Sequence, residues 1–321
     1  MTFEPVGVVL LNVGGPRTKE DVPAFIREML SDPMVMPVPW PVRPLLARRI
    51  SKRRRQNVID HYRQVGLPSP VFEQTSLQAE ALASELGEGF AVEHAFRYSS
   101  PTADECAARL EARGVRQIVA LAGYPQWSRS TSGTALAELR RAATRRGLGV
   151  REIGSFPDAE GFIRALAALT RPLLTEGAHL LLCAHGLPQR TVERGDPYVM
   201  HVLRTAEALT AALGKDRPSS LAFQSRVGRM EWTRPYLTDE IARLGDGGTS
   251  AIVVVPVSFI CENLETLFEL DVETAELARE AGIASFRRAP APGTHPDFIA
   301  GLAELVRKAT AEAGWQVPRG N

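Results

Sequence analysis

The sequence predicts an α/β protein made of two similar halves, each a parallel sheet flanked by helices. Continuous runs of β-branched and other apolar residues alternate with amphipathic helical stretches, which is the pattern of a doubly wound parallel sheet. The pattern then starts again, because the run at 179–184 and the loop at 185–188 echo the opening run at 6–13 and the loop that follows it. A chain of 321 residues is long enough to hold two such domains.

Two breaks rich in proline and glycine set the predicted domain boundaries, one near Pro157 and one at 290–296. We therefore expect a first half over 1–156, a second half over 157–295, and a C-terminal helix in 296–321 that packs across their junction. Strand ends from both halves are expected to face one cleft. The elements predicted for the first half are strands at 6–13, 91–98, 115–121 and 150–153 and helices at 21–30, 73–87, 102–113 and 131–146.

Composition narrows the class of protein. A hydrophobic fraction of 44% and a net charge of +1 are typical of a globular protein, and no basic domain stands apart to bind nucleic acid. No apolar stretch is long enough to span a bilayer, and no signal peptide precedes the first strand. We expect a monomer rather than a dimer, either cytoplasmic or peripheral on the inner face of the membrane. The three cysteines lie far apart without metal-ligand spacing, which predicts neither a disulfide nor structural zinc.

A proline-rich apolar segment at 33–46 is predicted to form no regular element. It is either a packed connector or an exposed apolar lip that meets a lipid surface or a flat apolar ligand. Six basic residues follow within 48–55. Such a cluster is either a solvated helix face or a surface for anionic lipid or the carboxylates of a ligand.

An acidic stripe follows the apolar strand predicted at 252–255. In an α-helix, its residues would lie within a fan of roughly 80° on one face, a spacing that requires either open solvent or a cation. The helix would begin outside the carboxyl end of a strand, where open α/β sheets bind ligands. The members of the stripe are Glu262, Glu265, Glu269, Glu273 and Glu276.

His185 ends another apolar strand and is followed by Gly186, so its ring is predicted at the carboxyl edge of the second sheet. A histidine at a strand end is often only structural. Glu265, however, is predicted at the same edge, and an imidazole opposed to a carboxylate suits the binding of a divalent metal or the transfer of protons.

At these residues the chain resembles the ferrochelatase family, over nearly all of 6–306. The resemblance implies two flavodoxin-like (Rossmann-like) halves of chelatase type and the insertion of ferrous iron into a porphyrin held in the cleft, a reaction of haem biosynthesis. The matching motifs are LLNVGGP at 10–16, FRYSSP at 96–101, YPQWSRSTSG at 124–133, AHGLP at 184–188, RGDPY at 194–198, FQSRVG at 223–228 and ETLFELD at 265–271.

The resemblance also implies roles for individual residues. His185 matches the active-site histidine and Glu265 the glutamate that opposes it, while Glu269 and Glu273 continue the acidic track that binds the metal. Arg53 and Arg54 are expected to pair with the propionates of the porphyrin. Further residues expected to line the porphyrin pocket are Val13, Tyr62, Arg97, Tyr98 and Trp232.

Two positions differ from the usual pattern of the family. Asn263 stands where histidine is usual, and Glu262 stands where aspartate is usual. If that histidine mainly orients the opposing glutamate through a hydrogen bond, Asn263 can do the same. Glu262 lies at the predicted helix start, where negative charge is favoured by about 0.3–1 kcal/mol. We therefore expect it to be available as the substitute proton acceptor or metal ligand.

Several alternatives stay open at this point. The porphyrin is either protoporphyrin IX or coproporphyrin III, and a chelatase for another metal or tetrapyrrole would share these motifs. Because the usual histidine is replaced by Asn263, a non-catalytic porphyrin- or haem-binding protein is the alternative from another class. Relatives with an iron–sulfur cluster carry extra cysteines, mostly in a C-terminal extension, and none follows Cys261 here. We expect no cluster and no permanently bound cofactor, with Fe2+ only as substrate.

Overall fold

The computed structural model of the chain describes residues 4–317, which form two compact units. The first unit holds residues 4–155 together with 299–317, and the second holds residues 156–298. Each unit contains one four-stranded sheet in which every strand pair is parallel. The predicted fold class is therefore confirmed.

The sheet of the first unit is built around its opening strand, which is buried along its whole length because it has a neighbour on each side. Its residue Leu10 lies opposite His94 on one neighbour and Leu121 on the other. In spatial order the strands are β2-β1-β3-β4, and their bounds are β1 Val6–Asn12, β2 Phe90–Phe96, β3 Gln117–Ala122 and β4 Gly149–Ile153.

Helices connect these strands and supply the apolar side chains that cover the sheet. One of them begins with a capping box in which Thr102 accepts from the backbone N–H of Glu105, and the Glu105 carboxylate accepts from the backbone N–H of Thr102. A short π-helix at Arg129–Gly133 precedes the fifth helix. The helices are α1 Val22–Ser31, α2 Val42–Val65, α3 Val71–Leu86, α4 Ala103–Ala112 and α5 Thr134–Arg145.

The segment at 33–46 is only partly irregular. Residues 33–41 form turns and loop, as predicted, but α2 already begins at Val42, so the prediction is wrong for 42–46. Pro44 is tolerated there because the N–H groups of the first helical turn have no partner within the helix. Trp40 is 76% exposed and Leu45 is 72% exposed, which favours an exposed lip over a packed connector.

The second sheet repeats the arrangement of the first, with the order β6-β5-β7-β8. His185 lies opposite Gln224 at its carboxyl edge. β5 and β7 follow the predicted apolar runs, whereas no strand was predicted at β6 or β8. The strands are β5 His179–His185, β6 Ser219–Gln224, β7 Ala251–Pro256 and β8 Ser285–Arg288.

Five α-helices and a long π-helix accompany the strands of the second unit within the described residues. The π-helix covers Glu265–Thr274 and continues directly into an α-helix. A short 3-10 turn at Arg171–Leu173 follows the first of the α-helices. Their bounds are α6 Glu160–Thr170, α7 Gln189–Glu193, α8 Tyr198–Leu213, α9 Leu237–Asp246 and α10 Ala275–Glu280.

The last helix, α11 at Pro296–Glu312, returns to the first unit from residue 299 onwards. Arg307 donates a hydrogen bond to the carbonyl oxygen of Glu85 at 2.5 Å. Glu312 accepts one from Arg151 at 2.7 Å.

None of the helices in residues 4–317 is both long enough and apolar enough to span a lipid bilayer.

Candidate active site

The backbone of His185 is held on both sides at the carboxyl edge of the second sheet. Its N–H donates to Ser258 Oγ at 2.8 Å, and its carbonyl oxygen accepts from the Tyr198 hydroxyl at 2.8 Å. The next residue, Gly186, leaves no room for a side chain, because a Cβ there would stand 2.8 Å from the carbonyl oxygen of Gln224. The sequence His-Gly at this strand end therefore fixes the position of the imidazole.

The ring of His185 is oriented by its own neighbour. Its Nδ1 lies 2.6 Å from the carbonyl oxygen of Gly186. Because a carbonyl oxygen only accepts, Nδ1 carries the proton, and in the neutral ring Nε2 holds a free lone pair. The Phe259 ring packs edge-on against the imidazole with centroids 6.4 Å apart. His185 is thus prepared to bind a metal or accept a proton through Nε2.

Glu265 begins the π-helix and is partly buried. Burial raises the pKa of its carboxyl, the negative charge of Glu269 raises the pKa further, and His185 opposes both by lowering it. Within residues 4–317, no arginine or lysine forms an ion pair with Glu265 or Glu269. Two neighbouring carboxylates therefore stand together without a compensating cation.

Glu269 is held by side chains from the end of β6. Gln224 donates from Nε2 to the Glu269 carboxylate at 2.8 Å and to the carbonyl oxygen of Glu265 at 3.1 Å, and Ser225 donates its hydroxyl to Glu269 as well. Ser225 adopts a φ of 66°, an uncommon conformation for a residue other than glycine. Cys183 completes the chain by donating its thiol to Gln224 Oε1 at 3.1 Å. The second carboxylate is thus fixed beside the first.

The helix that carries these carboxylates differs from the predicted one. The prediction of an α-helix from Glu262 onwards is wrong, because the helix begins at Glu265 and is π-helical as far as Thr274. A π-helix bonds each residue to the fifth one along the chain, so positions calculated for an α-helix do not apply. The hydroxyl of Thr274 follows the same spacing and donates to the carbonyl oxygen of Glu269 at 2.6 Å.

The last two members of the predicted stripe are exposed. Glu273 lies near the end of the π-helix on the surface, and Glu276 on α10 pairs with Arg279. The stripe of five therefore separates into three partly buried residues, Glu262, Glu265 and Glu269, and two surface residues. The interpretation as a solvated helix face fits only the surface residues.

Glu262, which is expected to be available as a proton acceptor or metal ligand, already accepts hydrogen bonds on both carboxylate oxygens. One of its carboxylate oxygens accepts from Arg288 Nη1 at 2.9 Å and from the backbone N–H of Ala291 at 2.9 Å. The other accepts from the hydroxyl of Thr266. Both oxygens are therefore engaged in contacts that fix the segment before the π-helix.

Asn263 serves a different purpose from the one expected of it. Its Oδ1 accepts from the backbone N–H of Thr266 at 3.0 Å, and its own N–H donates to the Thr266 hydroxyl at 3.0 Å. This reciprocal pair has the form of a capping box. No hydrogen bond joins the Asn263 side chain to the Glu265 carboxylate in the part of the chain that the structure describes. Asn263 therefore caps the helix and does not orient Glu265 directly.

In the first unit, Arg97 and Tyr98 lie around an aspartate that sequence reasoning missed. Asp32 directly follows α1, and its side chain is only 3% exposed. Its Oδ2 accepts from Arg97 Nη2 at 2.7 Å, from the Tyr98 hydroxyl at 3.0 Å and from the Thr134 hydroxyl at 2.5 Å. A signal for this cluster was available, because a carboxylate at the C-terminal end of a helix opposes the helix dipole and requires donors.

The cluster keeps Asp32 ionised. Burial alone would raise the pKa of the Asp32 carboxyl, but hydrogen bonds from Thr134 and the Met34 N–H, together with the positive charge of Arg97, lower the pKa below its usual value. Burial raises the pKa of the Tyr98 hydroxyl, and the neighbouring Asp32 charge raises it further. Tyr98 is therefore a neutral donor to an anionic aspartate.

The other predicted pocket residues of the first unit differ in exposure. Tyr62 is buried on α2, while Arg53 and Arg54 on the same helix are exposed. Neither arginine forms an ion pair within the described part of the chain. Val13 directly follows β1, and its N–H donates to Asn12 Oδ1 at 2.8 Å.

Trp232 is the predicted pocket residue that belongs to the second unit, beside the His185 strand end. Its indole N–H donates to the carbonyl oxygen of Val227 at 3.0 Å. A Cβ on Gly186 would stand 3.3 Å from the Trp232 ring, so the indole packs directly over the backbone next to His185. The structure thus places Trp232 beside the residue that follows His185.

Comparisons with known proteins agree on one family. The family model described as Ferrochelatase matches residues 5–310. The chain is 39% identical over 322 residues to a ferrochelatase of Synechococcus sp. (strain RCC307), an alignment that covers 95% of this chain and 83% of that protein. It is 37% identical over 313 residues to a ferrochelatase of Geotalea uraniireducens (strain Rf4), covering 95% of this chain and 98% of that protein.

Solved structures show a related fold at low sequence identity. SirB from Bacillus subtilis with Fe3+ superposes with a TM-score of 0.62 at 13% identity, covering 98% of this chain and 100% of SirB. The sirohydrochlorin chelatase SirB from Bacillus subtilis subspecies spizizenii in complex with cobalt gives a TM-score of 0.60 at 12% identity, again covering 98% of this chain and 100% of SirB. These likenesses support the chelatase-like α/β fold.

Proposed function

We propose that His185 and Glu265 carry the chemistry of this chain, which belongs to the ferrochelatase family and inserts ferrous iron into a porphyrin in haem synthesis. The observation that carries the proposal is the imidazole of His185, oriented by the Gly186 carbonyl oxygen at the carboxyl edge of the second sheet, in a unit where Glu265 and Glu269 have no arginine or lysine partner within residues 4–317. A carrier of finished haem would need neither a base nor adjacent carboxylates.

The reaction requires two kinds of group. A free-base porphyrin loses two pyrrole protons while ferrous iron exchanges its water for ring nitrogens, so the enzyme needs a proton acceptor and metal ligands. His185 Nε2 supplies a lone pair for either task. The raised pKa of Glu265 brings its proton affinity closer to neutral pH, where a carboxylate is an efficient acceptor. Carboxylate oxygens and imidazole nitrogen are also suitable ligands for the iron substrate.

One anaerobic experiment tests this assignment. Fe2+ is offered with protoporphyrin IX and, separately, with coproporphyrin III to the wild type, His185→Ala and His179→Ala. His179 is the matched control because it stands at the opposite end of β5. We expect His185→Ala to lose metal insertion while its melting temperature and porphyrin fluorescence titration stay close to wild type, and His179→Ala to stay active. His185→Ala activity within a few-fold of wild type would exclude the imidazole from the mechanism.

The same experiment decides the remaining alternatives. The faster of the two porphyrins is the preferred substrate. A wild type that binds porphyrin but inserts no iron would favour a porphyrin-binding protein. Repeating the assay with Co2+ extends the test, because insertion of cobalt but not iron would favour another chelatase.

We also propose that the porphyrin contacts Val13, Tyr62, Trp232 and the faces of Arg97 and Tyr98. Asp32 accepts from Arg97 Nη2 and from the Tyr98 hydroxyl, and the Arg97 guanidinium lies over the Tyr98 ring at 4.8 Å from its centroid. The two side chains are thus held as a stacked pair whose outer faces suit a flat ligand. Arg53 and Arg54, exposed and without ion pairs in residues 4–317, are proposed to meet the propionates. Arg53→Gln with Arg54→Gln should then raise the KM for porphyrin and leave the kcat near wild type.

We propose that iron is only a substrate and that no iron–sulfur cluster is bound. Clusters of the common kinds are held by four thiolates, whereas the sequence contains three cysteines. Within the described residues all three are buried. Cys183 donates to Gln224, and Cys106 donates to the carbonyl oxygen of His94. An iron and sulfide analysis of protein purified without oxygen tests this proposal.

A peripheral membrane contact through residues 33–46 is a further part of the proposal. Trp40, Val42 and Leu45 are exposed, and the basic surface of α2 follows directly. Apolar side chains beside arginines suit the boundary of an anionic bilayer. Trp40→Ser with Leu45→Ser should weaken co-sedimentation with vesicles containing anionic phospholipid and leave the melting temperature unchanged. A large fall in melting temperature would show instead that the segment is part of the core.

A further inference from the structure

Arg288, the last residue of β8, lies between a carboxylate that precedes the Glu265–Thr274 π-helix and a carboxylate inside it. Its side chain is only 9% exposed. Its Nε and Nη2 donate to the two oxygens of Asp271 at 2.6 and 2.7 Å, a bidentate pair, and its Nη1 donates to Glu262 at 2.9 Å. One guanidinium thus joins a residue before the π-helix to a residue inside it.

The two residues that Arg288 joins bracket Glu265 and Glu269 in the sequence. Glu262 stands three positions before Glu265, and Asp271 stands two positions after Glu269. Glu262 is itself fixed by the backbone N–H of Ala291, so the anchor extends to the loop after β8. The carboxylate pair therefore lies on a segment that is tied down at both of its ends.

The first turn of this segment is also closed from within. The reciprocal bonds between Asn263 and Thr266 cap the helix, and the Thr266 hydroxyl donates to Glu262, which Arg288 holds. The cap and the ion cluster are thus a single connected network. Arg288 itself forms no hydrogen bond with Glu265 or Glu269 in residues 4–317.

A π-helix needs such support, because this hydrogen-bonding pattern is rare and usually confined to a single turn. Rewinding the segment as an α-helix would turn Asp271 about the helix axis relative to Glu262. Arg288 would then lose one of its two carboxylate partners, and leaving buried N–H donors without an acceptor is costly. The ion cluster therefore favours the π-helical form of the segment that carries Glu265 and Glu269.

We propose that Arg288 is a positioning residue for metal insertion, which joins Glu262 to Asp271 and thereby holds Glu265 and Glu269 in the arrangement that receives the metal. The inference rests on the proposed function, because it takes these two carboxylates as ligands of the iron substrate. It also gives a role to the two positions that depart from the family pattern. Glu262 and Asn263 hold the helix start in place and take no part in proton transfer.

The test compares variants of Arg288 with a variant of its neighbour on the same strand. Arg288→Met removes every hydrogen bond and keeps the length of the chain, while Arg288→Lys keeps the charge but cannot form the bidentate pair. Arg287→Met is the matched control, because Arg287 is exposed and its contact is one hydrogen bond of 3.3 Å to a carbonyl oxygen. Anaerobic kinetics give kcat and the KM values for Fe2+ and for porphyrin separately.

We expect Arg288→Met to lower kcat/KM for Fe2+ by about 10–100-fold, which is typical of removing a residue that orients metal ligands. The Kd for porphyrin, measured by fluorescence, should stay within about threefold of wild type. The kcat/KM of Arg288→Lys for Fe2+ should lie between the values for Arg288→Met and wild type, and that of Arg287→Met should match wild type. Should Arg288→Met fail to fold, Arg288→Lys and Asp271→Asn carry the comparison.

The inference is wrong if Arg288→Lys and Asp271→Asn fold stably with an unchanged kcat/KM for Fe2+. It is equally wrong if the Kd for porphyrin and the KM for Fe2+ rise together, which would indicate general loosening. Calorimetric titration of anaerobic Fe2+ into porphyrin-free protein separates this result from failure of the proposed function. Weaker Fe2+ binding by Arg288→Met supports the positioning role even if the wild type inserts no metal, and unchanged binding overturns it.

Discussion

In the first unit a buried carboxylate is surrounded by donors, whereas in the second unit two carboxylates stand together with no arginine or lysine paired to either in residues 4–317. Asp32 accepts from Arg97, Tyr98 and Thr134, and its pKa is lowered. Glu265 has the opposite environment, because burial and the charge of Glu269 raise its pKa. The same type of side chain is therefore stabilised as an anion in one unit and destabilised as an anion in the other.

The difference distinguishes carboxylates that stabilise the fold from carboxylates that can still bind a cation or a proton. A carboxylate whose oxygens are taken up by donors has little left to offer a ligand, so Asp32 is structural. A carboxylate pair without a cation costs stability and attracts a cation or a proton, which is the usual relation between active sites and stability. On this criterion Glu262, bonded to Arg288, belongs with Asp32 although it is close to Glu265 in sequence.

The largest effect that would sharpen this comparison is expected at Glu265. Glu265→Gln keeps the shape of the side chain but removes both the negative charge and the proton acceptor. Removing a general acid or base typically lowers the rate by about 10²–10⁴-fold, so we expect a loss of at least about 100-fold in kcat/KM for Fe2+. Steady-state assays under anaerobic conditions measure it.

Glu276→Gln is the control for that variant. Glu276 comes from the same acidic run but is exposed and paired with Arg279. Its substitution should leave kcat/KM within about twofold of wild type, as expected for a surface ion pair. If the two substitutions change kcat/KM equally, the whole acidic stripe is a solvated helix face and Glu265 has no special role.

The next effect concerns stability in the first unit. Asp32→Asn removes the anion that Arg97, Tyr98 and Thr134 surround. Breaking a buried ion pair on one side costs about 3–5 kcal/mol, and we expect a loss near the lower figure because Arg97 is 20% exposed. Urea denaturation monitored by circular dichroism measures it.

Asp104→Asn is the matched control, because Asp104 also bonds arginines, Arg145 and Arg146, but on the surface. Its midpoint of denaturation should move far less than that of Asp32→Asn. If both variants lose the same stability, the buried Asp32 cluster stabilises the fold no more than a surface ion pair does. The proposed difference between the two units is then wrong.

Much of the fold follows from local hydrophobic patterns, and the exceptions have a common cause. β5 and β7 are apolar runs that only a buried strand explains. β6 begins with Ser219-Ser220 and β8 ends with Arg287-Arg288, so neither has such a run, and both depend on pairing with a neighbour. The start of α2 at Val42 was not predicted, because proline disfavours the interior of a helix but is tolerated in its first turn.

The candidate site was predictable to the level of residue type and strand end. His185 and Glu265 follow apolar strands, and the topology of a parallel sheet brings such positions to one edge. The π-helix was not predictable, because its sequence reads as an ordinary amphipathic α-helix. The roles of Asp32, Glu262 and Asn263 depend on partners between 3 and 102 positions away, such as Thr266 and Thr134, which no local pattern indicates.

A smaller effect is expected on the stability of the second unit. Because the Glu265 anion is destabilised by burial and by Glu269, Glu265→Gln should raise the free energy of unfolding by about 1 kcal/mol, as is common when a charged active-site group is neutralised. The measurement is urea denaturation of metal-free protein at pH 7. Glu265→Gln would thus lose activity and gain stability, while Asp32→Asn loses stability. A destabilised Glu265→Gln would mean that this carboxylate is structural as well.

The smallest expected effect is the pH dependence of two differences in the free energy of unfolding, one between wild type and Asp32→Asn and one between Glu265→Gln and wild type. Asp32 has a folded pKa below its unfolded value of about 3.9, so its contribution to stability is complete above about pH 5 and is lost as the pH falls through the folded pKa. Glu265 has a folded pKa above its unfolded value of about 4.3, so ionising it costs stability increasingly as the pH rises from about 4 through the folded pKa.

The advantage of wild type over Asp32→Asn should therefore stay constant from pH 5 to 8 and shrink below pH 5. The advantage of Glu265→Gln over wild type should instead be near zero at pH 4 and grow towards pH 7. Urea denaturation of the three metal-free proteins at a series of pH values gives both curves. If the two differences change in the same pH range and with the same sign, the carboxylates of the two units share one environment, and the distinction between a compensated and an uncompensated cluster is wrong.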